Sequence, residues 1–285
     1  PTTSNCESTI TTAVNAPSLQ VNKTDNGPWV VGQSGAAYQL TVNNASATVA
    51  TIGTITVKDA MPAGITPNWT SPLVVGNWSC TFAGQDVECT STTSIAANGS
   101  DSLALPVLVT ASAITAGTGA SVVNNARPEG GGDPFNGGTA PAPGANCAAL
   151  DANTPGHCAS KTTMVNLPAA LSIAKGTPTI AATATPGQFT ATYQITVTNA
   201  GGVAGAYTLN DTPGYPAGIV PSAWALNSPT GTVNGALPAA PTNGAANQIS
   251  ATSTPIGAVS THTYTVAMAF MANPNVAALA CTGST

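Results

Sequence analysis

The chain repeats itself, and a repeat of this length commits it to two copies of one folding unit before any other feature is weighed. The block Leu19-Gln-Val-Asn-Lys23 returns as Leu171-Ser-Ile-Ala-Lys175. Each block runs on to a Gly-Gln pair, Gly32-Gln33 and Gly187-Gln188, and then to Tyr38-Gln-Leu-Thr-Val-Asn43-Asn44 or Tyr193-Gln-Ile-Thr-Val-Thr-Asn199. Val57-Lys-Asp59-Ala-Met-Pro62-Ala-Gly64-Ile65 answers to Leu209-Asn-Asp211-Thr-Pro213-Gly-Tyr-Pro216-Ala-Gly218-Ile219, and a Trp follows each, at Trp69 and Trp224. The offsets stay between 152 and 155 residues.

Within each copy the apolar period is two. Tyr38, Leu40 and Val42 share one face, as do Leu103, Leu105, Val107 and Val109, and as do Tyr264, Val266, Met268 and Phe270. Residues that alternate in this way form half-buried strands, and the Gly, Pro and Asn between them are turn residues. No amphipathic helix stands out. The sequence therefore predicts an all-β chain of two tandem immunoglobulin-like β-sandwich domains. Residues 1–18 read as an N-terminal strand and linker, 19–168 as the first sandwich and 169–285 as the second, incomplete at its C-terminus.

The combined pattern Leu-x-x-x-Lys, Gly-Gln, Tyr-x-Ile/Leu-Thr-Val-x-Asn and Asp-x-x-Pro-Ala-Gly-Ile resembles the "domain of unknown function eleven" repeat of secreted and cell-wall bacterial proteins. It covers both blocks. The second departs from it in the longer turn Asp211-Thr-Pro-Gly-Tyr-Pro-Ala-Gly218. The resemblance implies tandem stalk or fibre modules of immunoglobulin-like fold, and no catalytic residues.

The two ends look complementary. Cys6 precedes Lys23 by 17 positions, as Cys158 precedes Lys175, and Val14-Asn15-Ala-Pro17 matches Val165-Asn166-Leu-Pro168. Joining the end to the start puts nine residues between Cys281 and Cys6, against ten between Cys147 and Cys158. Residues 7–17, with Glu7, Ile10, Thr12, Val14 and Asn15, are thus expected to serve as a polymerisation strand, entering the incomplete sandwich of the next subunit by donor-strand complementation. An open head-to-tail contact of this kind makes a filament of identical subunits. One period of a longer covalent repeat protein, an adhesin stalk, would give the same pattern.

Charge narrows the function classes. Of 285 residues only 5 are basic and 10 acidic, 5% in all, against roughly 25% in ordinary domains. A net charge of −5 argues against a nucleic-acid partner, which needs clustered Lys and Arg. Two His and few carboxylates leave little for acid–base catalysis, and no nucleophile elbow, phosphate loop or metalloprotease helix is visible. No enzyme activity, cofactor or metal is expected. The apolar run Val266–Ala272 is cut by Asn273-Pro274-Asn275, too short to span a membrane. The chain opens on Pro1 without an apolar leader, as a processed secreted chain would. Six Cys without a Cys-x-x-Cys pair favour disulfides and an oxidising, extracellular location at the bacterial surface.

Local spacing suggests Cys80 with Cys89 and Cys147 with Cys158, which leaves Cys6 and Cys281 for a bond between subunits. Lys23 and Asp59 are 36 residues apart, as are Lys175 and Asp211. Three readings are open: exposed strand-end charges, a buried ion pair, or an isopeptide bond in which a desolvated Lys attacks Asn124 or Asn125. Cell-surface glycans are a second partner class, for which Trp29 and Trp78 would be the platforms, while Trp69 and Trp224 are expected in the core. Asn22, Asn44, Asn68, Asn77, Asn98 and Asn210 head Asn-x-Ser/Thr sequons. The loop Glu129-Gly-Gly-Gly-Asp133 offers oxygen ligands but lacks the repeat expected of a calcium site. His157 beside Cys158 makes a poor nucleophile pair, and His262 is expected on an exposed strand face.

Overall fold

Residues 15–135, 137–151 and 156–273 are described by the structure, a computed structural model. The chain divides between Asn166 and Leu167 into two compact units, and strands make up nearly all of the regular structure in both. A four-residue α-helix, Cys147–Leu150, and a 3₁₀ turn, Ala111–Ala113, are the helical segments among the described residues, and neither could cross a membrane.

The first unit comprises β1 (Leu19–Asp25), β2 (Trp29–Val30), β3 (Ala37–Asn44), β4 (Ile55–Ala60), β5 (Ile65–Pro67), β6 (Leu73–Val75), β7 (Trp78–Ala83), β8 (Asp86–Ser91), β9 (Ser100–Val109), β10 (Gly119–Gly130) and β11 (Ala159–Asn166). One sheet runs β1-β3-β9-β5 and the other β2-β11-β10-β4-β8-β7-β6, antiparallel apart from the β2–β11 pair. Because successive side chains point to opposite faces, alternation delivers Tyr38, Leu40, Val42, Leu103, Leu105, Val107 and Val109 to one core with Trp29, Trp78, Ile55 and Val57 from the facing sheet. Each fully buried aliphatic side chain there contributes about 1.5–3 kcal/mol.

Two recurring motif residues have a physical reason. Asn44 is buried: its Nδ2 donates to the Val49 and Ile95 carbonyls and its Oδ1 accepts from the Ser18 and Ser46 amides. Asn199 does the same in the second copy, bonding Val203, Gly257, Ala170 and Gly201. Gly64 has φ +79°, and a Cβ there would collide with Ala113, so the Pro-Ala-Gly-Ile turn requires glycine.

The second unit comprises β12 (Leu171–Lys175), β13 (Thr179–Ala182), β14 (Gln188–Asn199), β15 (Gly205–Tyr207), β16 (Asn210–Asp211), β17 (Ile219–Asn227), β18 (Asn247–Gln248), β19 (Thr254–Ile256) and β20 (Ser260–Ala272). The sheet β12-β14-β20-β17 repeats β1-β3-β9-β5, even to the register in which Leu171 faces Asn199 as Leu19 faces Asn44. The β16–β18 pair stands where β4 pairs β8. Among the described residues of the second unit nothing corresponds to β10 and β11. The consequence is direct. Leu19 and Val21, packed under β10 and β11, are 0% and 8% exposed, whereas Leu171 and Ile173 are 43% and 61% exposed.

Candidate functional site

Among the described residues, a polar cluster inside the first unit and an open sheet face on the second depart from ordinary sandwich packing. The cluster begins with β1. Leu19, Val21 and Lys23 share its inward face, so the pattern that buries two apolar residues also buries an amine. Lys23 Nζ meets Asp59 Oδ2, from β4 of the opposite sheet, with both side chains out of solvent. It also sits 4.2 Å from the centroid of the Tyr38 ring. Burial pulls the Lys23 pKa below its usual range, with the Asp59 carboxylate opposing. Burial, then the same carboxylate, pushes the Tyr38 hydroxyl up. Removing one partner from such a pair leaves an uncompensated charge at a cost of about 3–5 kcal/mol. The reading of exposed strand-end charges is thus overturned for Lys23 and Asp59.

The register of β10 separates the two candidate asparagines. Asn125 turns away from the sandwich, where its Nδ2 donates to the Ala142 and Ala145 carbonyls and its Oδ1 meets Cys147 Sγ at 3.6 Å. It anchors a loop, and its place as acceptor for Lys23 is corrected on that ground. Asn124 points inward and is fully buried beside the Tyr38 hydroxyl, yet neither its Oδ1 nor its Nδ2 makes a well-formed hydrogen bond among the described residues. Asp59 Oδ1 lacks one as well, while the Tyr38 hydroxyl lies beside Thr163 and the Asn124 amide without a well-formed hydrogen bond to either. Orphaned groups like these each cost about 1–3 kcal/mol.

In the second unit Lys175 Nζ lies 2.5 Å from Asp211 Oδ1 and 4.5 Å from the Tyr193 ring centroid, with Tyr193 donating to Asp211 Oδ2. Here the lysine side chain is 43% exposed, because the face above it is open. Leu171, Ile173, Val197, Tyr207 and Leu209 line an apolar groove of about 230 Å³ on that face.

The remaining residues singled out from the sequence fall as follows. Disulfides join Cys80 to Cys89, directly opposed across β7 and β8 with Cα atoms 4.0 Å apart, and Cys147 to Cys158, 5.2 Å apart. Cys6, Cys281, Glu7, Ile10, Thr12 and Val14 lie outside the described residues, and Asn15 is exposed. Trp29 and Trp78 are fully buried, which removes both as glycan platforms; Trp29 packs edge-on to Tyr38 at 4.9 Å and bonds Asn26. Trp69 and Trp224 pack partly buried against their cores. Asn44, being buried, is no glycan acceptor in the folded chain. Glu129 pairs with Lys58 at 2.5 Å, and Asp133 is held by His157 Nε2 at 3.0 Å and the Leu19 amide, so both loop carboxylates are engaged in packing. The His157–Asp133 pair, whose imidazole lies tilted against the Phe135 ring at 4.0 Å, is not legible as a partnership from sequence. His262 is half-buried rather than exposed, its Nδ1 2.8 Å from the Tyr207 hydroxyl.

No protein-family model and no curated protein matches the chain. Among solved structures, the CARDB domain of a Pyrococcus furiosus protein in complex with di-metal ions is similar over 55% of this chain and 97% of its own, at 14% identity and a TM-score of 0.29. The collagen-binding domain of the Erysipelothrix rhusiopathiae surface protein RspB covers 91% of this chain and 83% of its own, at 8% identity and a TM-score of 0.21. A protein of Corynebacterium diphtheriae described as membrane anchored covers 92% and 89%, at 10% identity and a TM-score of 0.19. Similarity at this level carries no conclusion about function.

Proposed function

We propose that the chain is a structural, non-catalytic module of an extracellular bacterial fibre, assembled head to tail, in which strand supplied by a neighbouring subunit or repeat completes the second sandwich. The observation that carries this reading is the exposure of Leu171 and Ile173 on a face whose equivalent in the first unit is buried. Apolar sheet faces of this kind associate unless covered. The disulfides suit an oxidising compartment, and the low charge leaves little repulsion between close-packed modules. The repeat motif and its resemblance to cell-wall repeats point to the same location.

Residues 7–15 fit the role by pattern. Matching Val14-Asn15 to Val165-Asn166 aligns Thr12 with Thr163 and Val14 with Val165, and both β11 residues face the core at 2% and 0% exposure. Ile10, Thr12 and Val14 would then share an inward face. The end-to-start splice needs one amendment. In the first unit β10 stands between β4 and β11, but only residues 273–280 separate β20 from Cys281, too few for a β10 of this length. A single donated strand would therefore sit beside β16, in the place of β10.

Sedimentation velocity over a concentration series tests the proposal. The full chain is expected to associate, and Ile173→Asp to hold it monomeric. A full chain that stays monomeric at the highest concentration reached would overturn it.

A further inference from the structure

We propose that the first unit carries an intramolecular amide cross-link from Lys23 Nζ to Asn124 Cγ, formed with Asp59 as the proton carrier. Strand geometry brings the three together. In the β4–β10 register Ala126 lies opposite Asp59, so Asn124, two residues along on the same face, is its diagonal neighbour. Lys23 reaches Asp59 from the facing sheet. Amine and amide both lie against Tyr38, the amine over its ring and the amide beside its hydroxyl.

The atoms the reaction uses are those without a well-formed hydrogen bond. Asp59 Oδ2 is engaged with the amine, while Asp59 Oδ1 and both polar atoms of Asn124 make none among the described residues, the amide lying against the Tyr38 hydroxyl. A proton passes from the Lys23 ammonium to Asp59, leaving a neutral amine and a carboxylic acid. The acid donates to Asn124 Oδ1, and the amine lone pair attacks Cγ. As the tetrahedral centre collapses, the Cγ–Nδ2 bond breaks and Nδ2 leaves as ammonia, taking one proton from the amine by way of Asp59. Nζ is then joined to Cγ by an amide, and no oxidant or external reactant is consumed. The burial that lowers the Lys23 pKa favours the neutral amine, and exclusion of solvent protects the product from hydrolysis. Lys175 and Asp211 repeat the nucleophile and the carboxylate, but Asn247 beside them is bonded to backbone carbonyls, so one cross-link rather than two is expected.

Intact mass of the full, folded and then reduced chain reads the outcome. The expected result is a mass below that of the sequence by one ammonia, about 17 Da, with a branched proteolytic peptide joining the Lys23 and Asn124 segments. Lys23→Met and Asn124→Ala each restore the sequence mass, and Asp59→Asn slows or abolishes the loss. A wild-type chain at its full sequence mass would overturn the proposal, whatever the variants do. So would a loss that maps to a linear peptide, as cyclisation at Asn26-Gly27 or another Asn-Gly pair would give.

Discussion

Leu19 and Leu171 occupy one position of the repeat in two different surroundings, which makes truncation to alanine a comparison internal to the molecule. Leu19 is 0% exposed beneath β10 and β11, so Leu19→Ala loses the whole transfer term and leaves a cavity, at about 3–4 kcal/mol. Leu171 is 43% exposed on an open face, so roughly half the transfer term is at stake and the site collapses freely; Leu171→Ala should cost about 1 kcal/mol. The assay is amide exchange across a urea series at a concentration where the chain is monomeric, following peptides from β3 for the first unit and from β14 for the second. In the associated chain the Leu171→Ala cost should rise towards that of Leu19→Ala, because a donated strand would bury the site. A Leu171→Ala cost equal to that of Leu19→Ala in the monomer would refute the reasoning, since it would mean that the face is already covered from within the chain.

Asn199→Ala should destabilise the second unit by about 2–4 kcal/mol in the same experiment, because it strands two carbonyls and two amides that the side chain now serves. Cys80→Ser should cost the first unit up to about 3 kcal/mol, the closure term for a loop of this length, measured as a shift of its urea midpoint with and without reductant. Raising the pH above 10.0, the ordinary tyrosine pKa, should destabilise both units. Burial and a neighbouring carboxylate raise the Tyr38 and Tyr193 hydroxyls above that value, so the stability they contribute is whole below it and is lost as the pH climbs towards their folded-state pKa values. Tyr38→Phe should flatten that fall in the first unit alone.

Different features of the chain differ in how far sequence reveals them, and the reasons are physical. Alternation along Tyr38, Leu40 and Val42 or along Tyr264, Val266 and Phe270 is a local signal, and the burial of each set follows from it. The matched Lys–Asp spacing flags a pair, but exposure depends on what covers the strand, so Lys23 is buried while its equivalent Lys175 is not. Asn124 and Asn125 cannot be told apart in sequence, because only the register of β10 decides which of two adjacent residues faces the sandwich. The burial of Trp29 is invisible in sequence because it lies on the two-residue β2, held by parallel pairing to distant β11, which no local pattern announces. The engagement of His157 with Asp133 likewise joins two loop residues 24 positions apart, a contact that no local pattern announces.

The central claim is that the open face of the second unit accepts a strand from another copy. Its most direct test uses the chain lacking residues 1–18, a peptide of residues 1–18, and amide exchange read along the second unit. The account predicts that the peptide slows exchange at β16 (Asn210–Asp211), the edge beside which it would pair, and leaves the first unit unchanged. Exchange in the second unit that is identical with and without saturating peptide would contradict it.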